Sequence, residues 1–416
     1  MRGVPVVCGA GKIELICMIG LRRRLPASFF IMLFIIPGMV CLASAQTEFE
    51  KCLSSAEERL QRQDLRGAEK LLLAAEKMNP KSFVVHNNLG ALYLQQRRYA
   101  DSIRELTAAR TLNPDNLDVL RNLGTSHFLA GDYAAALEPL SRSKELNVRD
   151  LRTRYQLGYA LLMLDRSAEA QPELEQVRAA MPEDANTLFA LVKVYQAERD
   201  QENAGRTFAA LQRAHPDSVF VHVLLGESHD IQENWPAAIA EFQKAIEQAP
   251  LMSRLHFDLG FMYWQSAQYP KAVEEFKKEL EISPGFTPAL YYLGDIALNE
   301  GDASGALTYF QSATARNPNC LDPFLGQGKS YMRLGRPDEA LRQFEHAALL
   351  NSEQPDVYYL MAGAYRRLGQ TEKGQDAIGK FQVLNDRAKR ASLSLEQGRA
   401  RWSTPACISG WGDVKP

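Results

Sequence analysis

The chain has 416 residues, 46% apolar and 24% charged, with a formal net charge of -2. That composition is an ordinary globular one. A balance this close to neutral, without long runs of one sign, argues against a nucleic-acid-binding role, which would call for a basic face.

Taken in chain order, the first element is a leader. Arg22, Arg23 and Arg24 precede an apolar run from Phe29 to Leu42, and Ala43-Ser44-Ala45 follows as a small-x-small cleavage site. Together these predict a signal peptide over residues 1–45 and a mature start at Gln46. Met18 lies just before the arginines, so translation from Met18 gives a leader of more usual length. The alternative is an uncleaved inner-membrane anchor through residues 25–45, and membrane association is expected only if that segment is retained. Met39-Val40 before Cys41 does not resemble a lipoprotein cleavage site. Export would place the protein in a periplasmic or extracellular setting. Removing the leader takes away five basic residues (Arg2, Lys12, Arg22, Arg23, Arg24) and one acidic (Glu14), leaving about -6 from the original -2. The remaining cysteines, Cys52, Cys320 and Cys407, are odd in number and widely spaced, so neither a disulfide framework nor a metal site can be read from them.

From residue 49 a period appears. Leu-Gly or a close variant ends at Gly90, Gly124, Gly158, Gly226, Gly260, Gly294 and Gly328, at one constant step that is doubled only between Gly158 and Gly226. A frame of that step runs without insertion over 49–388 and divides it into ten units. A period of this length marks a stack of small units sharing one continuous core. Position 20 is small throughout (Ala68 to Gly374), position 24 is large and apolar (Leu72 to Ile378), and proline closes seven units at position 32. Positions 4, 7, 8 and 11 fall on one helical face, so each unit predicts two antiparallel helices. A glycine inside a helix destabilises by about 1 kcal/mol relative to alanine, so its regular return at position 8 implies close helix contact. Turn residues such as Gly131-Asp132 and Gly335-Arg336-Pro337 separate the helices, and Asn-Pro pairs end the second.

This pattern resembles the tetratricopeptide repeat, a helix-turn-helix unit of about 34 residues that favours Leu-Gly at 7 and 8, Tyr at 11, Ala at 20, an aromatic at 24 and Pro at 32. The resemblance implies an all-α fold, a right-handed superhelical solenoid of about ten units. Ala56, Val192 and Ala362 replace the glycine, Val148 replaces a proline, and Val192 puts the helix spacing of its unit in question. The tenth unit, with Lys373 and Gly374, reads as a terminal cap. Residues 389–416 leave the frame, and form a tail that begins as a capping helix and carries Trp402 and Trp411, either a docking element or a frayed end.

In arrays of the kind it resembles, positions 2, 5, 9 and 12 of the first helix line a concave groove that holds partner peptides. Here position 5 supplies Asn87, Arg121, Tyr155, Phe189, Val223, Phe257, Tyr291, Leu325 and Tyr359; position 9 adds Tyr159 and Phe261, and position 12 adds Phe128 and Trp264. The stripe reads as an aromatic trough or, equally, as half of the core. Asn88 and Asn122 at position 6 resemble a short backbone clamp. Arg366 and Arg367 with Lys329 and Arg333 form a basic patch suited to an acidic or C-terminal carboxylate group. His222, His229 and His256 fall at core positions, and no metal, cofactor or catalytic residue is expected. The sequence thus points to a non-catalytic exported scaffold that binds a peptide or protein segment. A carrier of small ligands or glycans in the trough and an assembly factor for an envelope secretion machine are the alternatives, with an enzyme ranked last.

Overall fold

The structure, a computed structural model, describes residues 46–394. The leader, and the tail from 395 with Trp402 and Trp411, lie outside the described residues. Every described element is a helix, and they run as ten hairpins in step with the sequence period. In chain order these are α1 (46–61) and α2 (Leu65–Met78), α3 (Phe83–Gln95) and α4 (Tyr99–Leu112), α5 (Leu117–Ala130) and α6 (Tyr133–Leu146), and α7 (Leu151–Met163) and α8 (Ser167–Ala180). Then follow α9 (Ala185–Ala197) and α10 (Gln201–Ala214), α11 (Val219–Ile231) and α12 (Trp235–Gln248), and α13 (Leu255–Gln265) and α14 (Tyr269–Ile282). The last are α15 (Thr287–Asn299) and α16 (Ala303–Arg316), α17 (Leu321–Arg333) and α18 (Pro337–Leu350), and α19 (Pro355–Arg367) and α20 (Thr371–Ser394). The chain divides into two compact units within α7, one ending at Ala160 and the other beginning at Leu161. No described helix is long and apolar enough to cross a membrane.

Local chemistry sets the helix starts. Asp64, Asp132, Asp200 and Asp302 occupy the same repeat position, and each carboxylate accepts from the backbone amide three residues on, at 2.8–3.1 Å. That bond satisfies one of the amides that a helix N-terminus leaves open. The residue just before is left-handed in all ten repeats. Gly131, Gly301, Gly335 and Gly369 adopt it freely, while Gln63, Arg97, Asp165, Arg199, Glu233 and Ala267 are held at φ of 57° to 61°.

The close contact predicted at position 8 is present, but its partner is the side chain at position 24. A Cβ on Gly90 would lie 2.4 Å from Leu106, on Gly294 2.8 Å from Phe310, and on Gly328 2.1 Å from Phe344. Those position-24 side chains are fully buried. Val192 shows the reverse case: it is itself buried, and its partner Phe208 is only half-buried, unlike Phe242, Phe276, Phe310 and Phe344. The larger side chain at position 8 takes volume that the residue at position 24 fills elsewhere.

One hairpin departs from the frame. α13 begins at Leu255, two residues late, behind Arg254 at φ 82°. The cause is Glu279, at a position where the other units carry a small or apolar residue. Its carboxylate is fully buried and accepts from the Ser253 hydroxyl (3.1 Å) and the Arg254 amide (2.8 Å), pulling the turn inward. Burial raises its pKa against the pull of those two bonds. Residues 389–394 continue α20 without a break, the capping helix expected at the start of the tail. Cys320, at the N-cap of α17, is buried.

Candidate functional site

The second unit holds a cavity of about 730 Å³ walled by α15, α17, α19 and α20. Its position-9 residues are Asp295, Lys329 and Gly363 from three successive repeats, and its position-12 residues are Leu298, Met332 and Arg366. The first-helix stripe predicted to face a partner therefore builds this cavity, with Tyr359 at position 5 and Leu360 beside it. α20 closes the other side with Gln375, Ile378, Gly379 and Gln382. The walls are mostly apolar, and a few polar groups converge on them, the usual make-up of a binding pocket.

Two glycines in the wall differ from those in the helix contacts. A Cβ added to Gly363 or Gly379 would meet nothing within 4 Å. Both sit inside helices, where glycine is unfavourable by about 1 kcal/mol, and no neighbouring side chain requires either. What they leave is open space at the cavity surface.

The electrostatics are asymmetric. Lys329 and Arg366 are exposed at the cavity. Asp295 is half-buried; burial pushes its pKa up, while the Trp264 indole N–H (3.3 Å) and the Lys329 charge pull it down. The expected basic patch is divided. Arg333 lines the cavity but donates to the Leu298 carbonyl, and Arg367 donates to the Met332 carbonyl at 2.6 Å and is not part of the wall. Both arginines sit one residue after position 12 and tie adjacent repeats together.

The predicted aromatic trough is largely core. Phe189 and Phe257 are only 5% and 4% exposed, in two buried clusters. Phe261, Trp264 and Tyr291 are half-buried and pack with Tyr292, their ring centroids 5.0–5.3 Å from its own. Tyr359, at 59% exposed, is the one position-5 aromatic open at the cavity. The reason is spacing: position-5 rings reach the first helix of the next repeat, and α19 has no following first helix among the described residues. Asn87, Asn88, Asn122, Tyr155 and Tyr159 belong to the first unit, whereas the cavity is built wholly from the second. There the Tyr155 and Tyr159 rings lie 5.9 Å apart, tilted by 36°, Asn88 and Asn122 are half-buried, and Asn87 Oδ1 is buried with no hydrogen-bond partner among the described residues.

A charge network that composition does not reveal lies across α9, α11 and α13. Lys193 Nζ, 9% exposed, pairs with the Glu227 carboxylate, and Arg254 Nε donates to Asp258 Oδ1 at 3.2 Å. Burial lowers the Lys193 pKa and lifts that of Asp258 to about 7, Arg254 opposing the latter. The sequence did hold a signal. Lys193 and Glu227, like Asp295 and Lys329, are opposite charges at position 9 of adjacent units.

Stacked helical hairpins with a groove cavity, apolar inside and charged at its edge, define an interaction scaffold. Tetratricopeptide-repeat profiles match residues 53–106, 87–147, 151–176, 223–285, 288–319 and 325–384, and the chain belongs to that family. A comparison with curated proteins finds no significant match. Among solved structures, the chain is similar to one titled as the APC/C hetero-tetramer Cut9-Hcn1, at 16% identity and a TM-score of 0.54, over 80% of this chain and 72% of that one. It is also similar to MamA, at 19% identity and a TM-score of 0.38, over 42% and 96%. These likenesses concern the fold alone.

Proposed function

We propose that the protein is an exported scaffold that captures an extended protein segment in the cavity between α15 and α20, with an anionic group of that segment, such as a C-terminal carboxylate, at Lys329 and Arg366. The observation that carries this reading is the joint placement of those two cations at the rim of an apolar cavity that Gly363 and Gly379 keep open. Apolar side chains of the segment would fill the walls, and the charge pair would fix its direction. Tyr359 offers an exposed ring at the same rim. Export rests on the leader-like segment 1–45.

The test is a binding screen of the full-length chain against a library of peptides displayed with free C-termini, followed by fluorescence anisotropy on the peptides selected. Amidation of the C-terminus, Lys329→Glu and Arg366→Glu should each weaken binding about 10-fold or more, the equivalent of a charge-assisted hydrogen bond. Gly363→Leu should block it by filling the cavity while leaving thermal stability intact. Peptides that bind equally well to Gly363→Leu would move the site elsewhere. Stabilisation by oligosaccharides with no peptide selected would favour the glycan-carrier reading instead.

A further inference from the structure

Three buried histidines repeat one arrangement that binding does not use. His86, His222 and His256 occupy position 4 of their units, and each ring Nδ1 faces Oε2 of a glutamate 19 residues on: Glu105 at 2.8 Å, Glu241 at 2.7 Å and Glu275 at 2.6 Å. The other oxygen of each glutamate accepts from a basic side chain: Arg104 at 3.0 Å, Lys244 at 2.8 Å and Lys278 at 2.9 Å. His86 Nε2 also lies 2.9 Å from the carbonyl of Pro80. Pro80 is the closing proline of the preceding unit, so the His86 ring joins one repeat's end to the next repeat's second helix.

A carbonyl oxygen only accepts, so Nε2 must carry a hydrogen. A carboxylate already paired with Arg or Lys is an acceptor too, so Nδ1 must carry the second. Both ring nitrogens then donate, and the imidazole is a cation. We propose that His86 is a proton-operated latch between repeats, closed when the ring is charged and released when it loses its proton, with His222 and His256 forming the glutamate half of the same device.

The surroundings fit. At His86, burial opposes the charge, but Glu105, the Pro80 carbonyl and the more distant Glu76 outweigh it and raise the pKa. At His256, the Glu275 hydrogen bond leads the upward shift, burial opposes it, and the Pro250 carbonyl and Glu279 add to it. Lys278 also pairs with Glu274 at 2.7 Å. A raised histidine pKa stabilises the fold fully below about 6.5, the unfolded value, and that stabilisation is lost as pH rises through the folded value. Release is therefore an alkaline event. Glu76, His86 and Glu105 also place one ligand atom each within 4.8 Å of one another. A metal there would need the nitrogen lone pair that the latch fills with a proton.

The measurement is nitrogen-15 NMR of selectively labelled histidines in the full-length chain, assigned with His86→Gln and His256→Gln. At pH 7.5 an unperturbed histidine is roughly 10% protonated. His86 is expected to show both nitrogens protonated in the majority of molecules, and hydrogen exchange in α3–α4 should speed up as it titrates. A His86 ring already neutral at pH 6.5 would overturn the proposal, as would exchange rates that pass unchanged through the titration. For His86, a melting temperature raised by zinc and lowered by chelator would replace the latch with a metal site. The NMR readout on the parent chain stands even if a variant fails to fold.

Discussion

The same substitution at two helical glycines separates packing from propensity. At Gly260 an added Cβ would lie 2.8 Å from Phe276 Cδ1 and Cε1 and 3.3 Å from the Ala272 carbonyl oxygen. Carbon contacts settle at roughly 3.5–4.0 Å, so the Phe276 ring, which is fully buried, must move by about 1 Å. Overpacking of that kind destabilises by about 1–3 kcal/mol. At Gly363 the Cβ meets nothing. Replacing glycine by alanine inside a helix gains about 1 kcal/mol at either position, so this gain cancels when the two variants are compared. Gly260→Ala should therefore fall below Gly363→Ala by about 1–3 kcal/mol, with Gly363→Ala above the parent. Urea unfolding followed by circular dichroism measures both. In a stack of repeats unfolding need not be all-or-none, so hydrogen exchange in α13–α14 and α19–α20 should accompany it. Equal effects at the two sites would refute the claim that position-8 glycines exist for the contact with position 24. A gain on adding Phe276→Leu to Gly260→Ala would support it.

Ala267, exposed and held at φ 57°, should accept glycine with a stability gain of up to about 1 kcal/mol, read as a higher urea midpoint. Lys193→Met leaves the Glu227 carboxylate without its buried partner and should cost about 3 kcal/mol, of which Glu227→Gln in the same chain should recover a part. Asp258, lifted to about 7 by burial, binds its proton more tightly folded than unfolded. Its contribution is complete below about 4 and declines as pH rises to about 7, so Asp258→Asn should flatten the stability profile across that window. A variant as steep as the parent there would assign the slope to other carboxylates.

How much of this was legible in the sequence depends on what each residue answers to. Gly90, Ala136 and Phe344 each obey a constraint that recurs along the array, so the period exposes them without any knowledge of contacts, and all ten hairpins followed from it. Glu279 occurs once. A buried carboxylate at a position usually small or aliphatic signals something unusual, yet only the folded chain shows that it delays α13 by capturing the Arg254 amide. The aromatic stripe was ambiguous for a related reason. Position 5 faces both the groove and the next first helix, so residue type alone cannot divide Phe257, which is buried, from Tyr359, which is exposed. Among the described residues a further hairpin follows Phe257 and none follows Tyr359, which decides between them.

The same logic accounts for where the cavity lies. Repeat positions that bury a side chain in the middle of an array leave it open where, among the described residues, no further first helix is stacked. At α19 and α20 the sequence leaves that surface lined with Ile378 and Leu360, and places Gly363 and Gly379 where larger residues would have closed it. Lys329 and Arg366 stand at its edge, while Arg333 and Arg367, both at position 13, turn to backbone carbonyls and hold adjacent repeats in register. On α19 a one-residue offset, from Arg366 to Arg367, thus separates a cation available to a partner from one that serves the fold. Swapping their roles is the sharpest expectation this yields: Arg367→Ala should lower stability with the peptide affinity of the folded fraction preserved, and Arg366→Ala should do the opposite.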